Sequence, residues 1–384
     1  MRILFITYHY LNGQGGGVYA SRAFINAFAE NSENFTLIYP DNGIDISNYF
    51  DSKIVFKGIN DKRSKLNKGI DVLFWKLHRY GKNTLNWITD NKDKFDIIVF
   101  DTSVIGDLVE KCNKLHLKTI TIHHNVQIDY HRDNFSKSLF NKYFNLLIAK
   151  NERSSLLNSD LNLTLTEMDK RNLRFKYKIP IEKRIENVGC FEYLRFNTDT
   201  STNLKKNKEL TFIISGNLNS PQNELSLLPF LKNEWLILNE KMPNCKLIIA
   251  GSDPTNRIIE ECSKYTNIDL IANPINMHDI IINADIYICP TCLGSGIKLR
   301  LMDGLKVGLP VISHEISERG YELFKEKGFL FSYNDSASFT EAIENVLKIK
   351  PDNFTRESII NLFNENFSFE SGKKKIRKFI DSIN

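Results

Sequence analysis

No apolar run in the 384-residue sequence approaches the roughly 20 residues that a membrane-spanning helix needs. The opening MRILFITYHY is short and is followed at once by polar and glycine residues, so it reads as a first strand and not a signal peptide. A cytoplasmic protein is expected. Strong charge of one sign is also missing. Fifty-one Lys and Arg against 46 Asp and Glu leave +5, which gives no reason to expect a nucleic-acid partner. That balance suits anionic substrates or an acidic membrane surface, and a solvated surface without a partner equally well. The six cysteines are scattered; Cys289 and Cys292 form one Cys-x-x-Cys with no second pair or His pair near it in sequence. Two ligands do not make a zinc site, so the cysteines read as structural thiols. Repeats, low-complexity tracts and Asp-x-Asp are absent as well.

What remains is an ordinary globular composition, 42% hydrophobic and 25% charged, long enough for two domains that each bury a core. Strand and helix patterns alternate along the whole chain, which implies parallel sheets with helices on both faces. The most informative stretch is Ile286–Ser313, IYICPTCLGSGIKLRLMDGLKVGLPVIS. A buried strand stops at Pro290, which has no amide proton. Gly294, Ser295 and Gly296 then give a backbone that can approach a ligand and leave amides free. Ile297, Leu301, Met302 and Leu305 fall at helical spacing, so a helix is predicted from Ile297. Its first-turn amides, from Gly296 through Ile297 to Leu299, with the ammonium of Lys298, suit phosphate. Asp303, further along, suits ribose hydroxyls.

Gly-Ser-Gly-Ile-Lys-Leu-Arg, an acid, then Gly-Leu-Pro-Val-Ile-Ser resembles the donor site of GT-B glycosyltransferases of family 4, in a Gly-Ser-Gly-Ile-Lys subgroup. The resemblance implies an α/β fold of two Rossmann-like α/β/α domains facing across a cleft, with a C-terminal helix crossing back to the first. The domains are expected at 1–190 with 368–384 (acceptor side) and 209–367 (donor side), joined by a polar linker at 191–208.

Other segments fit that resemblance in chain order. After the strand Arg2–Thr7 come Gly13, Gly15, Gly16 and Gly17, read as a loop ahead of a helix over Val18–Ala29. Gly15, Gly16 and Gly17 match a loop that faces the cleft near the donor phosphate and the acceptor. The same loop allows a nicotinamide-dependent oxidoreductase with Asp41 on the ribose; against it, Tyr8–Asn12 separate strand from glycine by too much for a tight pyrophosphate turn. Lys62–Lys82 is basic with helically spaced apolar residues, and reads either as a peripheral membrane contact or as a solvated surface helix. Strand Lys118–Ile122 ends in His123-His124-Asn125. The resemblance puts His124 on the transferred sugar, with His123 as the fallback, and assigns Glu152 an architectural or acceptor-side role within a long helical stretch, Tyr130–Leu157.

Two departures from the commoner family pattern stand out. After Gly216, Asn217 and Asn223 occupy the places of an arginine and a lysine on the donor diphosphate, with Lys298 as the expected replacement. Arg300, two residues on, should point elsewhere on a helix. The paired acids of the family become Ser295 and Asp303. The implied reaction retains anomeric configuration and uses neither metal nor cofactor. It takes a UDP- or GDP-linked sugar to a saccharide, lipid-linked or glycoprotein acceptor in surface polysaccharide or glycoconjugate synthesis. The expected donor contacts are Gly16, Gly17, Gly216, Asn217, Ser295, Gly296, Ile297 and Leu299, with His124, Lys298 and Asp303 catalytic. A non-catalytic partner subunit with this fold is the other reading.

Overall fold

The computed structural model describes residues 1–13, 15–50, 53–60, 64, 67, 69–70, 72, 80, 82–134, 138–193, 209–294, 296–349 and 353–383. Ser295, most of the basic segment 62–82 and the polar run 194–208 lie outside the described residues. The chain divides into two compact units, Met1–Arg195 with Phe367–Asn384, and Phe196–Asn366.

In the first unit seven strands form one sheet: β1 (Arg2–Ile6), β2 (Asn34–Pro40), β3 (Ile54–Ile59), β4 (Ile97–Phe100), β5 (Lys118–His123), β6 (Leu161–Thr164) and β7 (Ile185–Asn187). Their order is β3-β2-β1-β4-β5-β6-β7, and every pair is parallel. Parallel strands covered on both faces read as continuous apolar runs. Ile97–Phe100 is fully buried, as are Ile3, Leu4, Phe5 and Ile6 of β1. The second unit repeats the plan with β8 (Thr211–Asn217), β9 (Lys246–Ser252), β10 (Ile268–Ala272), β11 (Ile286–Cys289), β12 (Val311–His314) and β13 (Leu330–Tyr333), in the parallel order β10-β9-β8-β11-β12-β13. Its core centres on Phe212, Leu231, Trp235, Leu247 and Phe339. Each large side chain of this kind contributes about 1.5–3 kcal/mol by leaving water. The two-sheet α/β architecture expected from the alternating pattern is what the chain adopts.

The last helix, Phe369–Asp381, belongs to the first unit, as the resemblance implies. Ser368 caps it, accepting from Ser371 N at 3.2 Å. It lies against helix Gly16–Glu30: the side-chain amide of Asn31 donates to the carbonyl of Lys373 at 3.0 Å, and Lys373 pairs with Glu30 at 3.1 Å. The ring of Phe191 sits directly on Gly372.

Three local expectations are corrected. The first helix begins at Gly16, so Gly16 and Gly17 form its first turn instead of a preceding loop; Gly15, with no side chain, serves as the N-cap position. The stretch Tyr130–Leu157 is two helices, Gln127–Asn134 and Leu139–Asn158, the second opened by a Ser138 cap accepting from Asn141 N. The helix predicted from Ile297 begins only at Leu301 and runs to Leu305. Gly296 has φ +74°, and the next bonds are three-residue turns, Leu301 N to Lys298 O and Met302 N to Leu299 O. Among the described residues no helix is long and apolar enough to cross a membrane.

Candidate functional site

Open parallel sheets bind ligands at the carboxyl ends of their strands, where the strand order reverses direction. In the first unit that reversal lies between β1 and β4. Thr7 follows β1, Asp101 follows β4, and His124 follows the neighbouring β5. These three residues meet. His124 Nε2 donates to Asp101 Oδ1 at 2.7 Å, and the Thr7 hydroxyl donates to Asp101 Oδ2 at 2.7 Å. Asp101 is completely buried and His124 is 8% exposed. Burial pushes the Asp101 carboxyl up, but the attraction and hydrogen bond of His124, the nearby His9 and a bond from Ser21 bring it below its ordinary value. The group is therefore a carboxylate. With Nε2–H committed to Asp101, Nδ1 of His124 is left without a hydrogen-bond partner among the described residues. The His9 and Phe24 rings stand edge-on to the imidazole at 5.6 and 6.0 Å, and His9 in turn packs on Gly17 of the first helix.

His123, the fallback, turns the other way. Its Nε2 meets Asn162 Oδ1 at 3.0 Å inside the sheet, and burial lowers its pKa to about 4. It is a neutral core histidine. Glu152 is likewise fully buried, accepting from Tyr177 at 2.6 Å, from Gln127 N at 2.8 Å and from Ser103 at 3.2 Å. Burial raises its pKa to about 7. Through Gln127 it holds the chain three residues beyond His124, a supporting role.

In the second unit the reversal lies between β8 and β11, and the two loops that leave those strands interlock. Gly216, at the end of β8, has φ +142°, a conformation that a side chain would strain. A Cβ there would stand 3.1 Å from the guanidinium carbon of Arg300. Arg300 Nη2 donates to Asn223 Oδ1 at 2.7 Å and Nη1 to the Thr291 hydroxyl at 3.2 Å, while Asn223 Nδ2 donates to the carbonyl of Asn217 at 2.5 Å. Gly294 packs on Gln222, and Cys292 N donates to Ser226 at 3.1 Å. Among the described residues, the amides of Gly296, Ile297 and Leu299 meet no acceptor.

The expectation that Arg300 points away is thus overturned. It rested on a helix through 297–300, and that segment is a turn. The reading of Gly296–Leu299 as helix N-terminal amides falls with it; they are loop amides ahead of a five-residue helix. Lys298 is half-buried, and its carbonyl accepts from Tyr321 at 3.0 Å. Burial, with repulsion from Arg300 and Arg319, lowers its pKa to about 8. Asp303 lies one turn on, paired with Lys306 at 3.2 Å. Ser295 lies outside the described residues.

The lowered pKa of Lys298 has a sign that can be worked out. An anion bound there favours the ammonium, so above about pH 8 binding must take up a proton and weakens. Diphosphate affinity is expected to be flat from pH 6 to 7.5 and to fall at up to about tenfold per pH unit above 8. Lys298→Arg removes that limb, because a guanidinium stays charged. Titration calorimetry across pH reads both curves.

Arg300, Asp101, Thr7 and His9 were missed from sequence. Asp101 had a usable signal, an acid immediately after a fully buried parallel strand. Arg300 had none, because helical spacing at 297–305 argued against it.

Residues 209–348, the strands and loops of the second unit, match the family described as glycosyl transferases group 1. The match lies wholly within the second unit. Across its length the chain superposes on a glycosyltransferase from Rickettsia africae with a TM-score of 0.69 and 17% identity, covering 100% of this chain and 98% of that one. Anabaena HepE, solved with UDP and glucose, gives a TM-score of 0.68 at 11% identity, with both chains covered in full. These likenesses establish the GT-B fold. In sequence the chain is 25% identical over 291 residues to an uncharacterised 44.6 kDa protein of the Klebsiella pneumoniae cps region, spanning 72% of this chain and 71% of that protein.

Proposed function

We propose that the protein moves a sugar from a nucleoside-diphosphate donor to a hydroxyl of a saccharide, lipid-linked or protein acceptor, with retention at the anomeric carbon and without a metal ion. The observation that carries this reading is the interlocked pair of loops at the switch point of the second unit. They gather loop amides and the cations of Lys298 and Arg300 in one place. The acceptor oxygen forms a bond to the anomeric carbon as the bond from that carbon to the β-phosphate oxygen breaks. The nucleoside diphosphate leaves with the electron pair, and the acceptor proton passes to it. No carboxylate in the sequence presents itself as a nucleophile, which favours attack from the front face. The main requirement is then to stabilise charge growing on the leaving group, and preorganised amides and cations do this without reorganising. Asp303 serves the ribose hydroxyls and His124 orients the transferred sugar. HepE is solved with UDP-glucose, and the Klebsiella relative lies in a cps region; both support a UDP-linked donor and a role in surface polysaccharide synthesis.

A panel of nucleotides tests this. A ligand bound only by the folded state raises Tm. UDP-sugars, GDP-sugars and NAD, each with and without EDTA, are compared by thermal shift. A rise with one nucleoside-diphosphate sugar, insensitive to EDTA, is expected. A rise with NAD alone points instead to the oxidoreductase, and a rise that EDTA abolishes removes the metal-free mechanism.

A further inference from the structure

We infer that Arg300 is the residue that recognises the β-phosphate of the donor, delivered by the loop after β11 and aimed across the turn after β8 by Asn223 and Thr291. The inference rests on the donor reading above and adds to it which charged group meets the diphosphate.

Four observations converge on this one side chain. Its guanidinium lies against Gly216, at the strand end where the order of the second sheet reverses. That is where an open α/β sheet takes its ligand. Second, the side chain is half-buried, and among the described residues no carboxylate pairs with it; its two hydrogen bonds go to the neutral oxygens of Asn223 and Thr291. A guanidinium has five N–H donors, so three remain for a ligand. Third, those two oxygens fix the plane of the fork. Asn223 is itself held, because its Nδ2 donates to the carbonyl of Asn217, and Thr291 is buried with its carbonyl bonded to Ser317 at 2.5 Å. A planar fork set in advance loses less freedom on engaging a phosphate bidentately than a mobile lysine does. Fourth, the amides of Gly296, Ile297 and Leu299, which meet no acceptor among the described residues, belong to the same loop, so an anion there meets main-chain donors together with the guanidinium.

Asn217 and Asn223 carry no charge, so the turn after β8 cannot neutralise a diphosphate from its own side chains. It does the next best thing physically. Asn223 uses its oxygen to hold a cation that arrives from the other loop, and Gly216 leaves the room that the guanidinium fills. Asn223 and Thr291 are positioning residues.

The test compares nucleotides that differ by one phosphate. UDP and UMP, and in parallel GDP and GMP, are titrated into wild-type protein, Arg300→Ala, Arg300→Lys and Asn223→Ala. Losing a charge-assisted bidentate contact lowers affinity by about tenfold to a hundredfold. Arg300→Ala is therefore expected to cut the diphosphate-over-monophosphate preference by that factor, with monophosphate affinity kept within about threefold. Asn223→Ala, which keeps the charge but frees the fork, falls between wild type and Arg300→Ala, and Arg300→Lys recovers only part of the preference. A folded Arg300→Ala, or Arg300→Lys if the alanine variant does not fold, that keeps the wild-type preference overturns the inference and leaves the donor reading standing. Wild-type protein that binds neither UDP nor GDP removes both.

Discussion

Replacing His124 with alanine is expected to lower kcat by about a hundredfold or more, with nucleotide affinity within about threefold of wild type. The split follows from where the residue sits. His124 belongs to the first unit, fixed by Asp101 at its Nε2 and walled by His9 and Phe24, and the cations and amides proposed for the diphosphate belong to the second. A group that orients the transferred sugar affects the step in which the anomeric bond changes; it does not hold the nucleotide. Loss of kcat with Kd unchanged is the signature of an interaction realised beyond the ground state. Asp101→Asn keeps the shape and an acceptor but removes the negative charge beside the imidazole, so a smaller fall of about tenfold is expected, again without a change in Kd. Initial-rate kinetics paired with calorimetric titration measures both. Equal kcat in wild type and His124→Ala would remove the histidine from the reaction. A folded wild type that binds donor yet never turns it over, with or without His124, would instead support the non-catalytic partner reading.

The largest stability effect is expected at Gly372. Its added Cβ would lie 2.1 Å from Cγ of Phe191, far inside contact distance, and that atom is the base of the ring, not a flexible end. Phe191 cannot yield easily: it is 4% exposed and stacked edge-on against Phe24 at 5.1 Å. Gly372→Ala therefore forces the C-terminal helix off helix Gly16–Glu30 or moves the backbone. Overpacking of this severity costs about 3 kcal/mol, which for a unit of this size lowers Tm by roughly 10 °C. In a Phe191→Ala background the same substitution should cost much less, because the two side chains compete for one space. Thermal unfolding of the four proteins of that cycle checks it. Additive losses would mean that the helix does not pack there as described.

How much of this could be read from sequence varied with the kind of signal. Buried parallel strands are long apolar runs, and β1, β4, β8 and β11 were legible for that reason. So was the helix start at Pro221, where a missing amide costs nothing. The first-turn position of Gly16 and Gly17 was not legible, because glycine carries a high cost in helices and propensity alone assigns it to loops; here the helix gains from burying Ala20, Phe24, Ala27 and Phe28 instead. The segment 297–300 misled in the opposite direction. Ile297 and Leu301 are spaced as on a helix, yet the positive φ of Gly296 and the turn at Lys298 delay it. That delay is what lets Arg300 reach Gly216, so one local error concealed where this guanidinium sits. Asp101 illustrates a different limit. Its meeting with Thr7 and His124 depends on strands far apart in sequence becoming neighbours, β1 beside β4 and β4 beside β5, and no local pattern carries that.

The most direct measurement is nucleotide release. The donor that gives the greatest thermal shift is incubated with wild-type protein and with Lys298→Ala, and free nucleoside diphosphate is quantified over time alongside the anomeric configuration of the sugar product. Steady release by the wild type, a product with the donor's configuration, and a fall of about a hundredfold in the variant are expected. Equal rates with and without the lysine ammonium, or no nucleoside diphosphate from any sugar donor, would contradict a donor site built on the loop after β11.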